Sequence, residues 1–254
     1  TVTATGAIGT TAVSAGSSLT STGSVNGVTS AGIVNNYGTI PANGAVISGG
    51  AFTNHGTVSG AFGVSGTGTI AENNGTITTA GTSTIAATNI LINNNLIVNG
   101  SARLAVSGLL QGNGTIRDVD FFNPVTPNAG IDGRLQIASG GTISPGNGPG
   151  SIGKISVEGR FDTDQNANLV IEVAMTGSST NHYIVAPDYW GAIRCNIIMT
   201  NVGAVPFAAG QSFLIVSNNA GINDKNVNPN ADFKFVPPSP GLGLVWDRVD
   251  VFTN

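Results

Sequence analysis

The chain has 254 residues, of which 9% are charged and 37 are glycine, and its formal net charge is −4. Globular proteins usually carry about 25% charged residues, and a nucleic-acid binder needs a basic stripe to displace counterions from phosphates; this chain has no such stripe, so nucleic acid is excluded as a partner. A mean hydropathy of +0.20 argues against disorder, and Gly, Thr, Ser and Asn interrupt every apolar run before it reaches the roughly 18 residues of a membrane span, so the protein is not expected to be membrane-embedded.

The first segment, residues 1–23, opens with "TVTATGAIGTTAV", which alternates as a strand does. It is read as an N-terminal strand, either an arm or an atypical first rung of the repeat that begins at Ser24. Thr1, Val2, Thr3, Ala4, Thr5, Ile8 and Val13 are its candidate contacts with another subunit, because an uncovered strand edge invites pairing. The chain begins at Thr1 without an apolar leader, and a signal peptide is expected to have been removed.

Residues 24–150 repeat. "NNYGTI" at Asn35–Ile40 returns as "TNHGTV", "NNGTI", "NNNLIV", "GNGTI" and "DGRLQI". Aligned on the polar residue before the Gly, these give Asn36, Asn54, Asn74, Asn94, Asn113 and Asp132, at intervals of 18, 20, 20, 19 and 19 by subtraction. Between these corners the sequence fits two or three short strands, rich in Val, Ile and Thr and punctuated by Gly and Asn. A unit this short buries no core by itself and must stack on its neighbours, which predicts an all-β, right-handed parallel β-solenoid with rungs of about 19 residues. Its interior column is expected to be Ile40, Val58, Ile77, Ile97, Ile116 and Leu135, each just past a corner, with the Asn column stacking amides from rung to rung.

Residues 151–254 hold most of the charges and both Trp residues, and read as a C-terminal β-rich capping domain. Cys195 is the only cysteine, so no intrachain disulfide forms; within the apolar run "IRCNIIM" it reads as a buried, inert thiol.

The residues that could carry chemistry are sparse. Residues 1–100 contain one charged side chain, Glu72. Asp118, Asp120 and Asp132 fall near Arg117 and Arg134 and form the densest charged patch, which reads as salt bridges on a solvated face. A polysaccharide lyase or hydrolase on a β-helix needs clustered carboxylates, and Glu72 alone is too few. His55 lies in a surface corner, and His182 near Asp188 has no nucleophile elbow or Cys partner. The segment "DTDQNAN" at Asp162–Asn168 lacks the spacing of a calcium loop and reads as a polar turn. The outward Thr column, which in a wider array would suit ice or crystalline carbohydrate, is broken at Leu96 and Arg134. No catalytic activity, cofactor or metal is therefore expected.

"ISPGNGPGSIGKISVEG" at Ile143–Gly159 resembles the SPGNSPG signature near the C-terminal end of autotransporter passenger β-helices and related bacterial surface repeat proteins. "NANLVIEV", "AIRCNIIM", "PFAAGQSFLIVSNNAG" and "PGLGLVWD" come after it in the order such passengers use. The stretch "NHYIVAPDYW" departs from that pattern, and no membrane barrel is expected after "DVFTN". The resemblance implies a β-helix secreted to the bacterial cell surface, in a family whose members act as adhesins, aggregation factors or scaffolds. With the uncovered N-terminal edge, the expectation is an extracellular structural protein that polymerises with itself head to tail into a filament or surface layer. The alternative is a monomeric adhesin that meets host or cell-surface glycans or proteins.

Overall fold

The computed structural model describes residues 1–41, 43–100, 103–118, 134–174, 180, 181, 183–185, 189–217, 234–236, 239–241 and 243–246. Among these residues the chain forms 27 strands and no helix. The strands stack rung on rung as a parallel β-solenoid.

The first rung is β1 (Val2–Ala4) and β2 (Ala7–Val13), and the second is β3 (Ser18–Ser21) and β4 (Ser24–Ser30). From the third rung onward three faces separate. These rungs are β5 (Ile33–Asn36), β6 (Thr39–Ile40) and β7 (Ala45–Ile47); β8 (Ala51–Asn54), β9 (Thr57–Ser59) and β10 (Phe62–Val64); and β11 (Ile70–Asn73), β12 (Thr76–Thr79) and β13 (Ser83–Ile85). The sixth is β14 (Ile90–Asn93), β15 (Leu96–Asn99) and β16 (Leu104–Val106), and the seventh β17 (Leu109–Gly112), β18 (Thr115–Asp118) and β19 (Arg134–Ile137). β20 (Thr142–Pro145), β21 (Lys154–Glu158) and the start of β22 (Arg160–Ala174) make the eighth. The rest of β22 rounds a corner to begin the next, succeeded by β23 (Thr180–Asn181), β24 (Tyr183–Val185) and β25 (Tyr189–Asn201), with β26 (Val216–Ser217) and β27 (Lys234–Val236) last. Every named strand pair is parallel except β22 with β23.

Three apolar columns fill the interior, because inward positions alternate with outward ones along each strand. On the first face Leu19, Val34, Phe52, Ala71, Leu91 and Leu110 lie in register. The second face stacks Ile40, Val58, Ile77, Ile97 and Ile116, all buried. The next residue in that column is Val157, across from Ile116. Leu135, expected there, is buried on the third face instead, between Leu104 and Phe161. Its "GRLQI" mimics the corner-plus-aliphatic pattern, but the chain has already laid down its second-face strand, Thr115–Asp118, before reaching it. Phe52 is succeeded on its column by the small Ala71, so a bulky rung is answered by a thin one. Each buried Ile or Leu contributes about 1.5–3 kcal/mol.

Within residues 1–23, β1 and β2 form the first rung and β3 belongs to the second. β1 pairs with β3 and β2 with β4, placing Val2 opposite Leu19 and Ile8 opposite Val25. At the other end, parallel stacking runs on past Gly150, with β21 on β18 and β22 on β19. The "PGNGPG" stretch is an excursion at one corner between β20 and β21, built on positive-φ glycines at Gly146, Gly148 and Gly150. Buried Glu172 ties it down by accepting a 2.6 Å hydrogen bond from the Gly150 amide.

Candidate functional site

The repeated corner joins the first face to the second. Asn36, Asn54, Asn73 and Asn93 end their first-face strands with side chains turned inward and fully buried. Their amides form a ladder: Asn36 Nδ2 donates to Asn54 Oδ1, Asn54 Nδ2 to Asn73 Oδ1, and Asn73 Nδ2 to Asn93 Oδ1, each over 2.8 Å. Each amide group also reaches a backbone carbonyl, such as Thr76 O for Asn54 and Thr115 O for Asn93. A ladder like this satisfies polar groups that the interior would otherwise penalise.

Of the expected corner residues, Asn36 and Asn54 lie on this ladder. Asn74 and Asn94 stand one residue beyond it and make a second, outer ladder, with Asn94 Nδ2 donating to Asn74 Oδ1 over 3.0 Å and Asn74 Nδ2 to Glu72 Oε1 over 2.8 Å. The slip arises because the first two corners place Tyr37 or His55 between the ladder Asn and the Gly, whereas Asn itself fills that place in the next two. Asn113 also occupies this outer position; Gly112 takes the inner one, and Asn113 Oδ1 accepts the Lys154 amide at 3.1 Å. Asp132 lies outside the described residues, as do Asp120, His182 and Asp188.

The Gly after each Asn is set by close approach of the rungs. A Cβ on Gly56 would sit 2.0 Å from the Gly38 carbonyl oxygen, and one on Gly75 2.1 Å from that of Gly56. Asn95 is the exception in this column, and the bond across it is longer: Leu96 N to Gly75 O is 3.4 Å, against 2.9 Å for Thr57 N to Gly38 O and Thr76 N to Gly56 O. Outside the corner the exposed Tyr37 ring stacks on His55, with centroids 4.7 Å apart and planes 3° from parallel.

The corner between the second and third faces is built differently. Thr79, Asn99 and Asp118 are in register, turned inward and buried. Thr79 Oγ1, Asn99 Oδ1 and the nearby buried Ser83 Oγ have no hydrogen-bond partner. Outside this corner the basic side chains meet acids and amides. Arg117 pairs with Glu158, whose hydrogen bond and charge raise the arginine further above its ordinary pKa. Arg134 and Arg160 both meet Asp162, and Gln136 meets Asp164. These contacts neutralise charge between rungs and enclose no pocket of convergent acids among the described residues. Among those residues, too, no group of three His, Cys, Asp or Glu side chains could hold a metal, and no helix is long and apolar enough to cross a membrane.

The end of the first rung differs from every rung inside. Val2 belongs to the same column as Leu19, yet is 58% exposed where Leu19 is 1% exposed. Ile8 is only partly covered, whereas Val25 in its column is fully buried. At the opposite end Val202, Val205, Leu214, Val236 and Val245 are exposed beside an aromatic cluster in which Trp246 meets Phe207 at 5.4 Å and Phe235 at 5.6 Å.

Fold and corners together define a parallel β-solenoid of the polar-ladder type, with apolar surface at both ends. No protein-family model matches the chain, and no curated protein matches it.

Proposed function

We propose that this is an extracellular structural protein of the bacterial cell surface, a β-solenoid subunit that assembles with itself end to end into a filament or surface layer. The observation that carries this reading is Val2, a core-column residue left 58% exposed at one end. Among the described residues β1 and β2 pair on one side only, with β3 and β4, and a strand edge of another chain pairing on the other side would continue the stack. The two ends differ in sequence, which makes the contact heterologous, and heterologous contacts that do not close give open assemblies. No nucleic acid, cofactor or catalytic step enters this reading.

The second reading is a monomeric adhesin or passenger domain that meets surface glycans or proteins. The SPGNGPG resemblance and the ordered segments from Ser144 to Asp247 favour it, and they also support surface location. A polysaccharide-acting enzyme and an ice or carbohydrate-surface binder have less support: among the described residues Glu158 and Asp162 are paired with arginines, and the Thr column is one residue wide.

Negative-stain electron microscopy with light scattering over a concentration series tests the proposal. The full chain is expected to give regular fibres or sheets that grow with concentration, and a chain lacking residues 1–13 to give short rods. Monodisperse rods from the full chain at every concentration would overturn self-assembly and favour the adhesin.

A further inference from the structure

One apolar column runs the whole length of the solenoid and reaches the surface at both ends. On the first face Val2 lies opposite Leu19, and the column continues in register through Phe52, Leu91, Ile143 and Ile197 to Phe235. Eleven strands contribute to it, β1, β3, β5, β8, β11, β14, β17, β20, β22, β25 and β27, each parallel to the next. Inside the stack its members are buried, with Leu19 1% and Ile197 4% exposed. At the ends they are not. Val2 is 58% exposed, and Phe235, which stacks with Trp246 at 5.6 Å, is only partly buried. Among the described residues β1 pairs only with β3, and β27 only with β25.

We propose that β1 of a second copy adds in parallel to β27, with Val2 seated on Phe235, so that this column passes unbroken from one subunit into the next. The inference rests on the end-to-end assembly proposed above and fixes its strands and register. β27 is the acceptor because it already occupies the first-face edge of β25, with Ile197 opposite Phe235 and Ile198 opposite Val236. The register follows from side-chain alternation. Val2 and Phe235 share the inward row, and Thr3 and Val236 the outward row beside it. A slip of one residue would turn Thr3 into the core and Val2 to solvent. A slip of two would set Ala4 on Phe235 and leave Val2 uncovered, although Ala4 is only 4% exposed and heads the corner column of Ser21 and Asn36. The two ends also suit each other chemically. Residues 1–30 contain no charged side chain, and at the other end Val236 is 43% and Val245 84% exposed. Closing the contact therefore removes apolar surface from water and takes no charged side chain of the first rung out of it. Eleven strands at about 4.8 Å each give an axial rise of roughly 53 Å per subunit.

Two measurements on the full chain test this. Helical reconstruction of native fibres by cryo-electron microscopy is expected to give the axial rise of roughly 53 Å, whereas addition to β25 in place of β27 would give roughly 48 Å. The second is disulfide trapping with Thr3→Cys and Val236→Cys together. Paired strands hold these positions about 4.8 Å apart across the contact, within the roughly 4.4–6.8 Å that a disulfide spans between Cα atoms. Within one chain the same positions are ten rungs apart, roughly 48 Å, so a bond between them joins two copies. Mild oxidation of assembled fibres is expected to give covalent ladders on non-reducing gels from this double variant. Either single variant should stay monomeric on the gel, as should Thr5→Cys with Val236→Cys, which is two residues out of register. Buried Cys195 is common to all of them. The rise is read on the native chain, so it decides the register even where the cysteines impair assembly. Fibres whose rise departs from 53 Å by a rung or more would overturn the register and leave end-to-end assembly standing. Trapping of Thr5→Cys with Val236→Cys as strong as that of the registered pair, or assembled fibres of the registered pair that give no ladder, would do the same. A full chain that forms no fibres at any concentration would overturn both.

Discussion

Asn54 Nδ2 donates to Asn73 Oδ1 over 2.8 Å, one full turn of the chain apart, and both side chains are completely buried. The corner that looks like a loop motif in sequence is therefore part of the core. Replacing Asn73 by Ala removes an acceptor from Asn54 and a donor from Asn93 at once. The expected loss is about 3 kcal/mol of unfolding free energy. Asn74→Ala, one residue on and partly exposed, should cost about 1 kcal/mol or less. Urea unfolding of the two variants side by side checks the contrast, and equal losses would place the ladder elsewhere.

Glycine substitution separates close approach from open corners. Gly56→Ala drives a methyl to 2.0 Å from the Gly38 carbonyl oxygen, while Gly81→Ala meets nothing within 4 Å. The first should lose about 1–3 kcal/mol through forced separation of the rungs. The second should be neutral or gain up to about 1 kcal/mol by restricting the unfolded chain. Thermal melts of both variants decide this, and a well-tolerated Gly56→Ala would mean that the rungs can spread at low cost.

Cys195 is buried, and desolvation raises its pKa from 9.0 to about 11, partly offset by a hydrogen bond with Thr163. Because the folded value lies above the unfolded one, the buried neutral thiol contributes fully below about pH 9, and that contribution is lost as pH rises from about 9 to 11. The total at stake is of order 3 kcal/mol. Stability should fall across that interval in the native chain and less steeply in Cys195→Ala, as followed by denaturant melts at fixed pH. The folded thiol should also resist aromatic disulfide reagents at pH 8 and react on unfolding.

Ile77 sits between Val58 and Ile97 on the second-face column and is fully buried. Ile77→Ala should cost about 2–5 kcal/mol, since the rungs above and below are pinned by backbone pairing and cannot close the cavity. Chemical denaturation measures it.

At the first rung the expected effect is the reverse. Val2 lies in a core column but is exposed, so Val2→Asp should change stability by less than about 0.5 kcal/mol. If copies stack on this end, the same change should shorten or abolish fibres, because a carboxylate would be buried without a partner. Unchanged fibre length in electron micrographs would remove the first rung from the contact.

The solenoid and its period are legible in the residues alone. Short alternating strands and corners of Asn and Gly recur at near-constant intervals, and each is a local requirement that any stacked coil must meet at every turn. The second-face aliphatics from Ile40 to Ile116 are legible for the same reason. Which side chain at a corner faces inward is settled only when the rungs stack. A slip of one residue flips a side chain from core to solvent, and the paired asparagines of the later corners offer the same residue type at the inner and outer positions, so Asn73 and Asn93 carry the ladder where the neighbours of the Gly, Asn74 and Asn94, were expected. Leu135 reads as a second-face residue but joins the third because its neighbours are chosen by stacking. Thr79, Asn99 and Asp118 share no residue type, so no repeat announces their column; backbone register alone lays them over one another.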